Sequence, residues 1–181
     1  MSVTLSTARL VLRPWTAADR GPFAQLNADP AVMEFFPAPL TRAESDGLMD
    51  RLMDGFAQHG FGLWAVEAPG AGLVGFTGLS VPSYETAFTP CVEVGWRLAR
   101  HAWGKGYARE AAREALRFGF EDAGLREIVS FTVPANVRSR RVMEAVGMTR
   151  DVAGDFEHPR LPVGHALRPH VLYRIAAPSP R

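Results

Sequence analysis

Apolar and polar positions alternate along Val92-Glu93-Val94-Gly95-Trp96-Arg97-Leu98, and the β-forming residues among them predict a strand carrying Glu93 on the face opposite Val92 and Val94. The period then changes. Ala108, Ala111, Ala112, Ala115, Leu116, Gly119 and Phe120 recur at helical spacing, with Arg109, Glu110, Arg113 and Glu114 between them, so a helix is predicted to about residue 121. Its buried side is built of small residues, which lets it lie close to a sheet. The same reading predicts strands over 10–13, 63–67, 73–80, 128–133, 148–151 and 171–175, with Pro69-Gly70-Ala71-Gly72 turning between the second and third. Helices are predicted over 17–28 and 42–59, and a short one begins at Val137, bounded by Asn136 as N-cap and Gly147 just past its end.

Between the Glu93 strand and the long helix stands Trp103-Gly104-Lys105-Gly106-Tyr107-Ala108. Two glycines remove side chains from a strand-to-helix turn, so several backbone N–H groups can converge on an anion at the positive end of the helix. The competing reading is that the glycines only permit the turn. Arg109 and Arg113 share one helix face close behind the loop, as anion partners or as solvated surface. Two nucleotide-binding patterns fail on the residues. A dinucleotide fingerprint needs a small third residue where Arg109 stands, and an acid at the end of the next strand, whereas Glu127 is expected before it. A nucleoside-triphosphate loop needs Ser or Thr after its lysine, and Gly106 follows Lys105.

A second segment, Pro134-Ala135-Asn136-Val137-Arg138-Ser139-Arg140-Arg141-Val142-Met143, completes a pattern. Together with the Glu93 strand and the loop it resembles the GNAT superfamily of acyl-CoA N-acyltransferases. With Thr7-Ala8-Arg9-Leu10-Val11-Leu12-Arg13-Pro14-Trp15 and Asp29-Pro30-Ala31-Val32-Met33 it is similar to the branch of ribosomal-protein N-terminal acetyltransferases, the RimJ/RimL type. The likeness runs from about residue 7 to 175. It implies an α/β fold: a central six- to seven-stranded mixed, mostly antiparallel sheet with splayed central strands and helices on both faces. Gly106 and Ala108 match the family's phosphate motif, while Trp103 stands where that motif has Gln or Arg. Asn136 and Ser139 match the second motif. Many relatives place a tyrosine seven residues after the asparagine as acid for the departing thiolate; Met143 is there, which leaves Ser139 as the candidate. The resemblance thus implies acetyl-CoA as cosubstrate, held by Trp96, Arg97, Leu98, Trp103, Gly104, Lys105, Gly106, Tyr107, Ala108, Asn136, Ser139 and Arg141. The basic cluster Arg138, Arg140 and Arg141, beside Arg100 and Lys105, fits the phosphates of one coenzyme A, with solvated surface as the alternative.

The chemistry asks for few groups. An amine attacking a thioester must be neutral, yet lysine and N-terminal amines have pKa values near ~10.4 and ~8, so a base is needed, and Glu93 is the candidate. A backbone N–H between 94 and 98 is the expected oxyanion donor where the strand splays. Direct transfer is expected; Cys91, two residues from Glu93 on the same face, is either part of the acceptor site or a small buried hydrophobe. On the acceptor side, Phe35 and Phe36 are candidates for pocket or core. A long connection from Asp155 through His158, His165 and His170, stiffened by Pro159, Pro162 and Pro169, is expected as a fixed wall. Asp155 or Glu157 could hold a cationic acceptor there. The leading expectation is N-acetylation of a protein N-terminus or small amine. Alternatives are an aminoglycoside or polyamine acetyltransferase, which needs several acids, and a non-catalytic acyl-CoA sensor, which needs neither Glu93 nor Ser139.

Composition narrows the rest. With 181 residues, 47% of them hydrophobic, the chain can bury one full core, expected over 1–177 with 178–181 as a frayed tail. A net charge of +1 gives no general argument for nucleic acid or an anionic membrane, and no signal pattern or ~20-residue apolar run stands out, so a cytoplasmic enzyme, monomer or homodimer, is expected. The single cysteine excludes an intramolecular disulfide, and the five histidines show no paired ligand spacing, so no catalytic metal is expected.

Overall fold

The computed structural model describes residues 3–178; of the tail expected over 178–181, residues 179–181 lie outside them. Eight strands form one sheet: β1 (Leu5–Ser6), β2 (Val11–Arg13), β3 (Leu63–Ala68), β4 (Gly72–Ser80), β5 (Glu93–Leu98), β6 (Glu127–Thr132), β7 (Thr149–Glu157) and β8 (Pro169–Ala176). Their order is β1-β2-β3-β4-β5-β6-β8-β7, and among the described residues β5 and β6 are the one parallel pair. Among the described residues four α-helices flank the sheet: α1 (Arg20–Ala28), α2 (Arg42–His59), α3 (Tyr107–Glu121) and α4 (Val137–Ala145).

The strand count exceeds the expected six to seven because of β1. Two residues are too few to show alternation, yet Leu5 and Ser6 pair with Leu12 and Val11. The helix expected from 17 starts as a 3-10 turn, Ala17–Asp19, because the Asp19 carboxylate accepts from Thr16 N and from both Nη atoms of Arg13. Glu127, expected ahead of its strand, is the first residue of β6. The largest departure is β7, which continues to Glu157 across an irregular stretch between Asp151 and Phe156, where Asp151 Oδ1 accepts from Gly154 N. Exposed Val152 on this edge strand hides the period. Asp155 and Glu157 therefore lie in a strand, as does His170 in β8, and the connection is shorter than expected.

Two cores lie on opposite faces of the sheet. On one face Trp64, Val66, Leu79, Val94 and Leu98 meet Ala111, Ala115, Leu116 and Phe118 of α3. On the other, Ala65 and Phe76 meet Trp15, Phe23, Leu26 and Met49 beneath α1 and α2. The small face of α3 works as its sequence implies: a Cβ on Gly119 would stand 2.6 Å from Ile128 Cδ1. Both ends of α2 are capped: Thr41 and Glu44 form a reciprocal capping box, and Gly60, at φ 74°, ends the helix.

Gly78 of β4 and Gly95 of β5 are cross-strand partners on the α1/α2 face, so bare backbone floors the sheet between Ser80 and Glu93 on one side and Phe76 and Arg97 on the other. Gly78 sits at φ +151°, and a Cβ there would lie 2.2 Å from the carbonyl oxygen of Gly62. Gly78→Ala is expected to cost about 2–4 kcal/mol, read as a lower urea midpoint with an unchanged slope.

Candidate active site

The site is built where β5 and β6 part. The two strands share a single register pair, Glu93 with Val129, joined by Val129 N donating to Val92 O at 2.9 Å. One residue on, the Ser130 hydroxyl replaces a backbone donor and binds Val94 O at 2.8 Å. Beyond it the ladder stops. In a strand every second residue turns its N–H and C=O to the same edge, so those of Trp96 face the widening gap. At the gap's far end Leu98 O is taken by the Trp103 indole N–H at 2.7 Å.

That bond anchors the loop at Trp103, which stands where the motif has Gln or Arg, and the Arg138 guanidinium lies 4.5 Å over its ring. Gly104 and Gly106 adopt φ +72° and +78°, values that favour glycine, and Gly106 caps α3. The N–H groups of Gly104, Lys105, Gly106, Tyr107, Ala108 and Arg109 have no acceptor among the described residues. Six unpaired donors at a helix N-terminus fit a pyrophosphate in number and polarity. Arg9 fixes the loop from outside: its Nη1 donates to Lys105 O, its Nε and backbone N to the Glu110 carboxylate, and its guanidinium lies 4.9 Å over the Tyr107 ring. Thr7 also binds Glu110. A groove of about 410 Å³ runs past this clamp, lined by Thr7, Arg9, Gly106, Arg109, Glu110, Arg113, Glu114 and Arg117.

Across the gap, Asn136 caps α4: its Oδ1 accepts from Ser139 N at 3.1 Å and its Nδ2 donates to Thr132 Oγ1 of β6. Ser139 is part-buried in the first turn, and its hydroxyl has no partner among the described residues. Met143 is fully buried in the α3-side core. The basic cluster divides. Arg138 pairs with Glu34, Arg140 donates to Tyr173 Oη and Pro134 O, and Arg100, Lys105 and Arg141 are exposed.

Trp96 and Leu98 face the α3-side core, whereas Glu93 and Arg97 face α1 and α2. The side chain of Arg97, expected among the coenzyme contacts, thus lies away from the loop, because strand alternation turns it to the opposite face. Burial pushes Glu93 up to about 8, with Ser80 across the ladder favouring the ionised form. Glu93 Oε1 leans over Gly95, 3.8 Å from where a Cβ would be, and nothing else lies within 4 Å of that position. Burial and the neighbouring Glu93 push the Cys91 thiol up to about 11, so it stays protonated.

An aromatic wall stands beside Glu93. Phe131 of β6 packs edge-on to Phe156, Phe88 lies against both, and His170, His158 and Tyr84 continue the row at centroid separations of 5.0 and 4.7 Å. Burial holds His158 down at about 4 and lowers His170, so both rings are neutral at pH 7. Asp155 pairs with Arg150, and Glu157 with Arg168 at 2.8 Å, which consumes the acids expected to receive a cation. Phe35 is half-buried and Phe36 exposed, and neither belongs to either core cluster. Phe36 lies 4.1 Å from the Arg97 guanidinium, and Phe35 lies 5.8 Å from that of Arg138.

Sequence reasoning missed Arg9, Ser130, Phe88, Phe131 and Tyr84. Ser130 had a signal, a lone hydroxyl in the apolar run Ile128-Val129-Ser130-Phe131; Tyr84 and Phe88 sit in an irregular connection where periodicity says nothing.

A family model described as an acetyltransferase (GNAT) domain matches residues 9–149. The chain is 39% identical over 153 residues to FsC-acetyl coenzyme A-N(2)-transacetylase of Aspergillus fumigatus, covering 81% of this chain and 65% of the length of that protein. A GNAT-family acetyltransferase from Bacillus anthracis superposes with a TM-score of 0.78 at 26% identity, covering 96% of this chain and 98% of that one. Ribosomal-protein-S5-alanine acetyltransferase from Vibrio fischeri shares the fold, with a TM-score of 0.76 at 18% identity over 98% of each chain.

The raised Glu93 pKa sets a stability test. The native state keeps a proton that the unfolded chain releases above the ordinary value of 4.5, so this group's contribution to stability falls as pH rises from 4.5 to about 8. Glu93→Gln removes that loss. It is expected to melt several degrees above wild type at pH 9 and alongside it at pH 4, in thermal unfolding followed across that range.

Proposed function

The chain belongs to the GNAT acetyltransferase family, and on that premise we propose that it transfers acetyl directly from acetyl-CoA to the primary amine of a small molecule or a protein N-terminus. The observation that carries this reading is the Glu93 carboxyl leaning over bare Gly95 at the point where β5 and β6 part.

The roles follow from the groups present. The unpaired N–H donors from Gly104 to Arg109 hold the pyrophosphate, and Lys105 stands ready as a mobile counter-charge. The thioester lies in the gap between β5 and β6. Glu93 takes the proton of the attacking amine, directly or through water, as the new C–N bond forms. The Trp96 N–H, already fixed along the open edge of β5, stabilises the oxygen that becomes negative. When the C–S bond breaks, the electron pair leaves with sulfur, and the Ser139 hydroxyl donates a hydrogen bond to the thiolate. An ordinary thiol pKa of about 8.5 makes this a tolerable leaving group, so Ser139 contributes on the order of ~10²-fold or less. Cys91, held as a thiol, supports a route without an acyl-enzyme.

Acceptor chemistry favours a small amine over a polycation. A polyamine or aminoglycoside needs several free acids, and Asp155 and Glu157 are already paired with arginines. The relative from Aspergillus fumigatus is named for transfer to an N(2) position, in keeping with a small amine. A ribosomal-protein acceptor rests on likeness of fold alone.

Release of coenzyme A thiol, followed across a panel of amines, tests the proposal. Activity is expected to rise about tenfold per pH unit until it levels near pH 8, as Glu93 ionises. Glu93→Gln is expected to lose ~10²–10⁴-fold in kcat with unchanged acetyl-CoA affinity, and its residual pH profile to follow the amine alone. A Glu93→Gln enzyme with wild-type turnover would sink the assignment of the base.

A further inference from the structure

Arg97 is the anomaly of the acceptor face. Arg13, Arg20, Arg117, Arg150, Arg168 and Arg174 each hold at least one carboxylate. Arg97 holds none among the described residues. Its Nη1 donates to the neutral amide oxygen of Asn27 at 2.6 Å, and the rings of Phe36 and Phe76 lie 4.1 and 5.2 Å from its guanidinium carbon. Its Nε is buried without a partner. Burial draws its pKa down to about 10, so the charge is present at neutral pH. A guanidinium enclosed by rings and an amide, with an idle donor and no counter-ion, is unfavourable unless an anion completes it.

The position of Arg97 says which anion. It shares strand and face with Glu93, and only Gly95 separates them on that face, over the bare floor shared with Gly78. A residue four along a strand is about 13 Å away at its Cα, a gap that the two long side chains and a small molecule can bridge. The pyrophosphate loop opens beyond the other face of β5, so its anion is not the missing partner.

We propose that Arg97 is the subsite for the acceptor's own carboxylate, so that the amine acetylated here belongs to an amino-acid-like molecule with a free carboxylate close to its amine. This rests on the acetyltransfer reading above. Arg97 holds the carboxylate, Phe36 keeps the guanidinium plane fixed, and the amine is left over Gly95 within reach of Glu93. A protein N-terminus, whose nearest carbonyl is an amide, lacks the required charge.

Matched acceptors test this: amino acids with small, aliphatic, aromatic and cationic side chains, each beside its amide and its decarboxylated amine. For the preferred side chain, the free acid is expected to show a KM at least tenfold below its amide, in line with a charge-assisted bond to a buried group. Arg97→Met, which fits the apolar space between the two rings, is expected to erase that preference while leaving the amide's KM and acetyl-CoA affinity unchanged. Arg97→Lys is expected to keep part of it. In parallel, with coenzyme A present, the N-acetyl amino acid is expected to raise the melting temperature of wild type but not of Arg97→Met, and its amide to raise neither. Equal use of acid and amide, or an equal loss on both in Arg97→Met, overturns the carboxylate subsite and spares acetyltransfer. Selective stabilisation by the carboxylate product with no thiol release from any acceptor spares the subsite and overturns acetyltransfer. Neither turnover nor selective stabilisation overturns both.

Discussion

Everything at the centre of this molecule depends on a ladder that stops. Two parallel strands of six residues each would ordinarily pair along their length, yet β5 and β6 pair once and then separate. The separation is controlled. Ser130 spends its hydroxyl on Val94 O, closing the last bond the strands can make, and the Trp103 indole covers Leu98 O where the gap is widest. Left without a partner in a buried site, each carbonyl would cost roughly 1–3 kcal/mol. What remains open is the edge of Trp96. A backbone donor is thereby left free between a loop rich in free N–H groups on one side and a carboxyl on the other.

The two faces of β5 divide the work because a strand alternates. Its odd-numbered side presents Glu93, Gly95 and Arg97 to α1 and α2; its even-numbered side presents Val94, Trp96 and Leu98 to α3. Glycine at 95 leaves open space on the first side, with only the Glu93 carboxyl within 4 Å of where its Cβ would be, while Ala111, Ala115 and Gly119 bring α3 close on the second. Electrostatics follow the same division. Backbone dipoles and the clamped Arg9 make the loop side positive. On the other side an acid disfavoured by burial and a cation with no counter-ion among the described residues face the same floor.

Much of this was legible from residue order. Alternation located β5 and the sign of its faces, helical spacing located α3, and α2 covers the predicted 42–59. Local signals failed where tertiary bonds decide. β1 exists only because Leu12 and Val11 lie opposite it. The 3-10 turn before α1 exists because Asp19 is held by Arg13. β7 runs on through a stretch where Val152 faces solvent, which breaks the period a strand would show. Within the site, the glycine loop, Glu93 and Asn136 announce themselves by spacing, whereas the Arg9 clamp joins residues about a hundred positions apart. The orientation of Arg97 could be read from its parity in the strand; its lack of an acid could not.

Phe35 and Phe36 link these regions mechanically. Each ring lies against an arginine from a different side of the parting, Arg138 on α4 and Arg97 on β5. Glu34 adds an ion pair to the first contact. Consecutive side chains share one short stretch of backbone, so displacing either ring turns the segment that carries the other. The connection between α1 and α2 is thus a strap fastened at two points, and its evolution is constrained as a unit: a substitution that reshapes the cover over Arg97 also changes the seating of α4. A change at one of these contacts is therefore coupled to compensating change at the other, and single substitutions in the strap are poorer starting points for reshaping either region than replacement of the whole segment.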